Sequence, residues 1–218
     1  MPELFINPPQ APYEILTDPD EVAGVEQAMG RALAGRGHPS DWARTGVVYE
    51  DPYGMILRDA VRMPDGGPGT YIRFVTPINT PGVVILPVWR EWILLIRHFR
   101  HSTRRWHLEI PRGSGMPGSS PEDDARRELL EEIGAEAAAL TPLGVVHPDT
   151  GLAATAAHLF HAAVDDYGPP EGDEGIDKVI PVTPAEIADL IRTGELTDGF
   201  TLAAYTRALL SGLVVLSR

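Results

Sequence analysis

The chain has 218 residues, 43% of them hydrophobic, no cysteine and a formal net charge of −13. That length can bury one substantial core, or one core plus a small appendage, while the missing cysteines exclude disulfides and thiolate metal sites and fit a reducing cytoplasm. The acidic excess would repel phosphate backbones, so nucleic acid is not expected as a partner.

Residues 1–45 have Pro-rich ends, one expected helix over 20–34 and a loop at Gly35-Arg36-Gly37-His38-Pro39; they read as an extension of unassigned role. The start Met1-Pro2-Glu3-Leu4 shows neither a basic n-region nor an apolar h-region. Strand is expected over 47–63, with a turn at Asp51-Pro52-Tyr53-Gly54, and Pro64-Asp65-Gly66-Gly67-Pro68-Gly69 marks a hairpin. Further strands are predicted over 70–77, 82–88 and 92–99. Trp106-His107-Leu108-Glu109-Ile110-Pro111 reads as a short strand, followed by a loop over 112–118 that needs flexible backbone. Ser120 and Pro121 then supply an N-cap and a first helical residue, and Gly134 a helix stop. Strands near 136–146 and 156–164, a Pro/Gly/acid-rich loop over 168–175, a strand over 178–182, a helix over 184–192 and a last helix over 201–216 complete the pass. No stretch approaches the roughly 18 apolar residues of a membrane span, so no membrane partner is expected.

The most informative run is Arg127-Glu128-Leu129-Leu130-Glu131-Glu132-Ile133-Gly134. At about 100° per residue, Glu128, Glu131 and Glu132 fall in one sector of a helix, beside an apolar stripe of Ala125, Leu129 and Ile133. Crowded carboxylates repel one another, and a hard divalent cation relieves that repulsion. The plainer reading is a solvated acidic face with an ordinary i, i+4 pair between Arg127 and Glu131. The strand, glycine loop and capped helix around it favour a site.

This unit resembles the Nudix box of the Nudix hydrolases: a glycine, five residues, a glutamate, seven residues, then R-E-U-x-E-E-x-G-U, where U is a bulky aliphatic. The matching positions are Gly113, Ser119, Arg127, Glu128, Leu129, Glu131, Glu132, Gly134 and Ala135. Two depart: Ser119 stands where the family has glutamate, and Ala135 where it has a bulky aliphatic. Gly82-Val83-Val84-Ile85-Leu86-Pro87-Val88, the run from Ile93 to His101, Trp106 with Glu109-Ile110-Pro111, and the run from Gly194 to Leu202 resemble the ADP-ribose pyrophosphatase branch. The likeness extends over about 49–210.

The resemblance implies an α/β fold, a Nudix-type α/β/α sandwich with a mixed central sheet, here carrying the N-terminal extension. The expected domain covers 46–218: a β region over about 46–80, a catalytic core over about 81–183 and C-terminal helices over about 184–216. The implied activity is metal-dependent hydrolysis of a pyrophosphate in a nucleoside diphosphate joined to another moiety, ADP-ribose or a related NDP-sugar first. Mg2+ or Mn2+ is the expected cofactor, bound by Glu128, Glu131, Glu132 and a carbonyl near Arg112. Glu128 and Glu131 are the firmest catalytic candidates, and the branch draws a general base from a later loop, where Glu171, Asp173 and Glu174 lie. A homodimer sharing N-terminal strands is expected as well.

Substrate contacts follow from charge. Arg97, Arg100, Arg104 and Arg105 form a basic segment in an acidic chain, and a guanidinium offers a planar fork to a diphosphate. Arg97 and Arg100 are therefore substrate-site candidates, and Glu109 and Gly113, in the stretches that carry the resemblance, are counted with them; Arg104 is expected to face solvent and the histidines to lie beside the site or on the surface. Two other functions stand against this reading: a nucleoside triphosphate pyrophosphohydrolase of the housecleaning type, and a non-catalytic Nudix module that senses a ligand. A dehydrogenase is set aside. Gly113-Ser114-Gly115-Met116-Pro117-Gly118 fits G-x-G-x-x-G, but Pro117 and the Ser120-Pro121 start push the helix beyond the glycines, where its N-terminus cannot meet a pyrophosphate.

Overall fold

The computed structural model describes residues 2–76, 80–170 and 175–216. The chain forms two compact units, Met1–Pro77 with Asp149–Ala154, and Ile78–Pro148 with Thr155–Arg218. The extension over 1–45 and most of the β region expected after it therefore share one unit.

That first unit is a sheet of β1 (Glu14–Ile15), β2 (Gly46–Glu50), β3 (Met55–Arg62) and β4 (Pro68–Val75), with α1 (Pro19–Gly35) beside it. All pairings are antiparallel: β4 lines one edge of β3, while β1 and β2 take opposite ends of the other. Asp18 caps α1 by accepting from the backbone of Asp20 and Glu21, as an acid before a proline start should. Leu16, Val25 and Ala60 form its small core with Val22 and Met29. Asp59, buried within the sheet, is paired with Arg73 at 2.6 Å.

The second unit holds the mixed sheet. Its strands are β5 (Gly82–Trp89), β6 (Trp92–Arg100), β7 (Arg105–Glu109), β8 (Arg112–Gly113), β9 (Ala137–Val146), β10 (Ala157–Val164) and β11 (Ile176–Val182). The central order is β11-β6-β5-β10-β9, with β7 on β6 and β8 on β5. Only β5 and β10 run parallel to each other among these pairings. Helix α2 (Pro121–Ile133) packs on one face; α3 (Pro184–Thr193) and α4 (Gly199–Leu210) pack on the other. Successive residues of a strand point to opposite faces. Thus Val83 and Ile85 join the α2 side, and Val84 and Leu86 the other, which is why β5 reads as an unbroken apolar run. The unit is the expected α/β/α sandwich.

One expected boundary is corrected. The last helix was placed over 201–216, but α4 starts at Gly199, after the Asp198 cap, and stops at Leu210. Gly212 adopts φ +71°, a left-handed conformation that ends a helix cheaply only at glycine. Leu213 and Val214 then donate back to the Ala208 carbonyl, and Val214 returns to the core.

Ala125, Leu129 and Ile133 are fully buried against Val83, Ile85, Leu94, Ile96, Phe160 and Ala162. Leu129→Ala should cost about 2–5 kcal/mol of stability, because the rigid sheet beneath cannot collapse into the cavity. Urea unfolding followed by circular dichroism measures it.

Candidate active site

Helix α2 is fixed at both ends. Ser120 Oγ accepts from the Asp123 amide at 3.1 Å, and Pro121 occupies the first turn. At the other end Gly134 turns left-handed, with φ +57°, and a side chain there would press on the Gly168 backbone at 3.2 Å. With its apolar stripe against the sheet, the helix cannot rotate. Its acids are thereby aimed.

Glu128 and Glu132, one turn apart, are 6% and 2% exposed, whereas Glu131 is partly open to solvent. A carboxylate so buried needs partners. Glu132 Oε2 accepts from the backbone N–H of Arg112 at 2.9 Å. Glu128 lies so close to Gly113 that any side chain at 113 would occupy the place of its carboxyl group. Glycine is required there by space, since β8 and α2 meet at that point.

Arg127 holds the acids together. Its guanidinium lies 2.7 Å from Glu128 and donates to Glu131 Oε2 at 2.7 Å and to the Ser114 carbonyl at 3.0 Å. Burial works against the Arg127 charge, but Glu128 and Glu131 more than offset it and hold its pKa above the ordinary value. The i, i+4 pair of the plainer reading is therefore present within the cluster. Among the described residues, no three acids or histidines converge closely enough to form a ready-made metal site. Arg127 is the cation that pairs with these acids in the structure. The donor set itself is all oxygen and suits a hard divalent ion.

A second charged cluster sits at the end of β7. Glu109, 1% exposed, faces Arg100 at 2.6 Å, Arg112 at 3.0 Å and His98 Nδ1 at 3.1 Å. Burial pushes the Glu109 carboxyl up from its ordinary pKa, with Arg112 and Arg100 opposing. Glu109 and Arg100, both expected at the substrate, are thus joined to each other, and Arg112 joins them. Arg97 pairs with Asp177 at 2.5 Å and lies over the Trp106 ring. Arg104 contacts His101 and Phe99 on the surface. Glu171, Asp173 and Glu174, the expected source of a general base, lie outside the described residues.

Sequence reasoning missed two groups. Asp124 is 3% exposed; its Oδ2 accepts from the Met116 amide at 3.2 Å, and its Oδ1, without a hydrogen bond, lies 3.7 Å from Arg127. Its spacing, four residues before Glu128, was the available signal. Asp198 accepts from Arg112 across the sequence at 3.0 Å, a long-range pairing without a local signal.

The NUDIX domain model matches residues 78–199, more than half of the chain. The chain belongs to the NUDIX family. An ADP-ribose pyrophosphatase of Bacillus subtilis (strain 168) is 32% identical to this Nudix hydrolase over 133 residues, covering 58% of this chain and 71% of the relative. The ADP compounds hydrolase NudE of Escherichia coli (strain K12) is 37% identical over 65 residues, 30% of this chain and 35% of the relative. A crystal structure of an ADP compounds hydrolase superposes with a TM-score of 0.66 at 24% identity, covering 78% of this chain and 93% of that one, and shares the fold. The dinucleotide-fingerprint alternative fails on structure too, since α2 begins at Pro121, beyond all three glycines.

Gly113→Ala tests the close approach. The added methyl must displace Glu128, and misplacing a group by about 1 Å can cost about 100-fold in rate. Turnover should fall by about that factor, with the fold intact by circular dichroism.

Proposed function

We propose that this Nudix hydrolase cleaves the pyrophosphate of a nucleoside diphosphate joined to a second moiety, ADP-ribose or a related NDP-sugar, giving a nucleoside monophosphate and a sugar phosphate. The observation that carries the reading is the convergence of buried Glu128 and Glu132 on the Arg112-Gly113 turn, beside the Arg100–Glu109–Arg112 cluster. Acids that suit a divalent ion adjoin guanidiniums that suit a diphosphate. The named activities of the Bacillus subtilis and Escherichia coli relatives support the choice of substrate class.

Glu128, Glu131, Glu132 and the carbonyl beside Arg112 are the residues that would hold Mg2+ or Mn2+. A divalent ion there would neutralise charge on the phosphate oxygens and acidify a water. The chain's own part begins with Arg127, which pairs with Glu128 and Glu131 and would have to give way for an ion to reach them. Arg97 and Arg100 supply guanidinium forks for the diphosphate. Glu109 acts through Arg100, holding its fork in place from a buried position. One of the loop acids, Glu171 or Glu174, takes the proton of the attacking water.

The protein is further proposed to be a cytoplasmic homodimer. Support comes from β2, an edge strand that leaves Val47, Val48 and Tyr49 exposed, since such an edge is open to pairing with a second chain. Light scattering should give twice the chain mass; a monomer would count against it.

Incubation with ADP-ribose, dGTP or NADH and Mg2+, followed by product chromatography, tests the substrate. AMP and ribose phosphate from ADP-ribose is the expected outcome, whereas preferential cleavage of dGTP would replace this reading with the triphosphate one. Glu131→Gln should lower kcat by about 100-fold or more at unchanged fold, because it removes a carboxylate proposed to hold the ion that would neutralise transition-state charge. Normal turnover would remove Glu131 from the site.

A further inference from the structure

The turn that carries Arg112 and Gly113 is held from three sides. Ile85 on β5 donates to the Pro111 carbonyl at 2.9 Å. Glu132 on α2 accepts from the Arg112 amide at 2.9 Å. The third hold comes from the N-terminus of α4, which lies on the opposite face of the sheet from α2. There Thr201 Oγ1, fully buried, accepts from the Ile110 amide at 3.1 Å. Asp198 Oδ1 accepts from Arg112 Nη1 at 3.0 Å, and the ring of Phe200 lies 4.9 Å from the same guanidinium.

Asp198 does two jobs with two oxygens. Its Oδ2 caps α4, accepting from the Thr201 amide at 2.8 Å and from the Thr201 hydroxyl at 2.7 Å. Capping alone needs one oxygen, and serine would serve as well. The second oxygen is explained by Arg112, whose other terminal nitrogen is held by Glu109 at 3.0 Å. A guanidinium meets two carboxylates from two separate nitrogens in one fixed plane, where a lysine ammonium offers a single point charge. The Arg112 side chain is therefore committed to two acids of the protein, at the residue whose amide meets Glu132.

We propose that Asp198 is a positioning residue: by clamping Arg112 it sets the Pro111–Gly113 turn against Glu128 and Glu132. The clamp rests on the reading above, in which that turn and those acids hold the divalent ion. In this proposal Asp198 acts through Arg112 rather than on the substrate; its Oδ2 also holds the Thr201 hydroxyl, a contact that Arg112→Met leaves in place.

Asp198→Ser separates clamp from cap, because serine retains a capping oxygen and removes the one that holds Arg112. Arg112→Met breaks the clamp from its other end and leaves the cap alone. In each variant the Mn2+ dissociation constant, read by electron paramagnetic resonance of free Mn2+, should rise about 10-fold, as loss of groups that orient metal ligands does. kcat should fall by a similar factor with KM little changed. The double variant should be no worse than Arg112→Met alone, since that change already removes the Asp198 interaction along with the one to Glu109. Wild-type Mn2+ affinity and kcat in Asp198→Ser, or additive losses in the double variant, overturn the proposal. Hydrogen exchange of the Arg112 amide supplies a readout without metal. It should quicken in both variants, and unchanged exchange also overturns the clamp. If the wild type itself takes up no Mn2+, the metal reading falls, and the exchange rates alone decide whether Asp198 fixes the turn.

Discussion

The structure depends on the packing of three side chains. Ala125, Leu129 and Ile133 lock α2 to the sheet, and the rotation so fixed brings Glu128 and Glu132 down onto the Arg112-Gly113 turn. Burying a leucine or isoleucine yields about 1.5–3 kcal/mol each. Unpaired buried carboxylates would cost several kcal/mol apiece, comparable to that gain. The helix can therefore dock only if each acid finds partners, among them the Arg112 amide and the Arg127 guanidinium.

The same rule shapes the second cluster. Glu109 is almost fully buried, and two arginines close on it. In a chain with 18 basic against 31 acidic residues, these guanidiniums are placed where buried acids require them. They differ in commitment. Arg127 ties acids of its own helix to the Ser114 carbonyl, whereas Arg112 joins Glu109 to the distant Asp198 and packs on Phe200.

Much of this was legible in the sequence because its causes are local. The cap at Ser120, the stop at Gly134, the 3.6-residue stripe and the acid spacing all lie within one helix and its flanks, and all are present as read. The strands of the sheet followed from apolar runs between Gly and Pro punctuation. What escaped was long-range. Asp198 lies 86 residues from Arg112, and nothing in the run around it announces that its second oxygen crosses the sheet. The pairing of Arg100 with Glu109 was equally hidden, so two residues expected to face a substrate separately act as one unit. The over-long last helix has a different cause: apolar residues continue through 213–216, and one left-handed glycine outweighs them.

The departure at Ser119 can be placed in the same terms. Its hydroxyl makes only a local contact, to the Ser120 carbonyl at 3.3 Å, and the residue is exposed. The loop before α2 is nevertheless tied to the helix, through its main chain. The Ser114 carbonyl accepts from Arg127, and the Met116 amide donates to Asp124. Both helix residues lie within one turn of Glu128, on the acidic side. A carboxylate at 119 would have to reach Arg127 from a solvent-facing loop, at the cost of side-chain freedom. Asp124 reaches Met116 from inside the helix, where its backbone is already ordered. The box thus keeps its loop closed without the loop acid, and the closure rests on helix residues that the docking of Leu129 has already put in place.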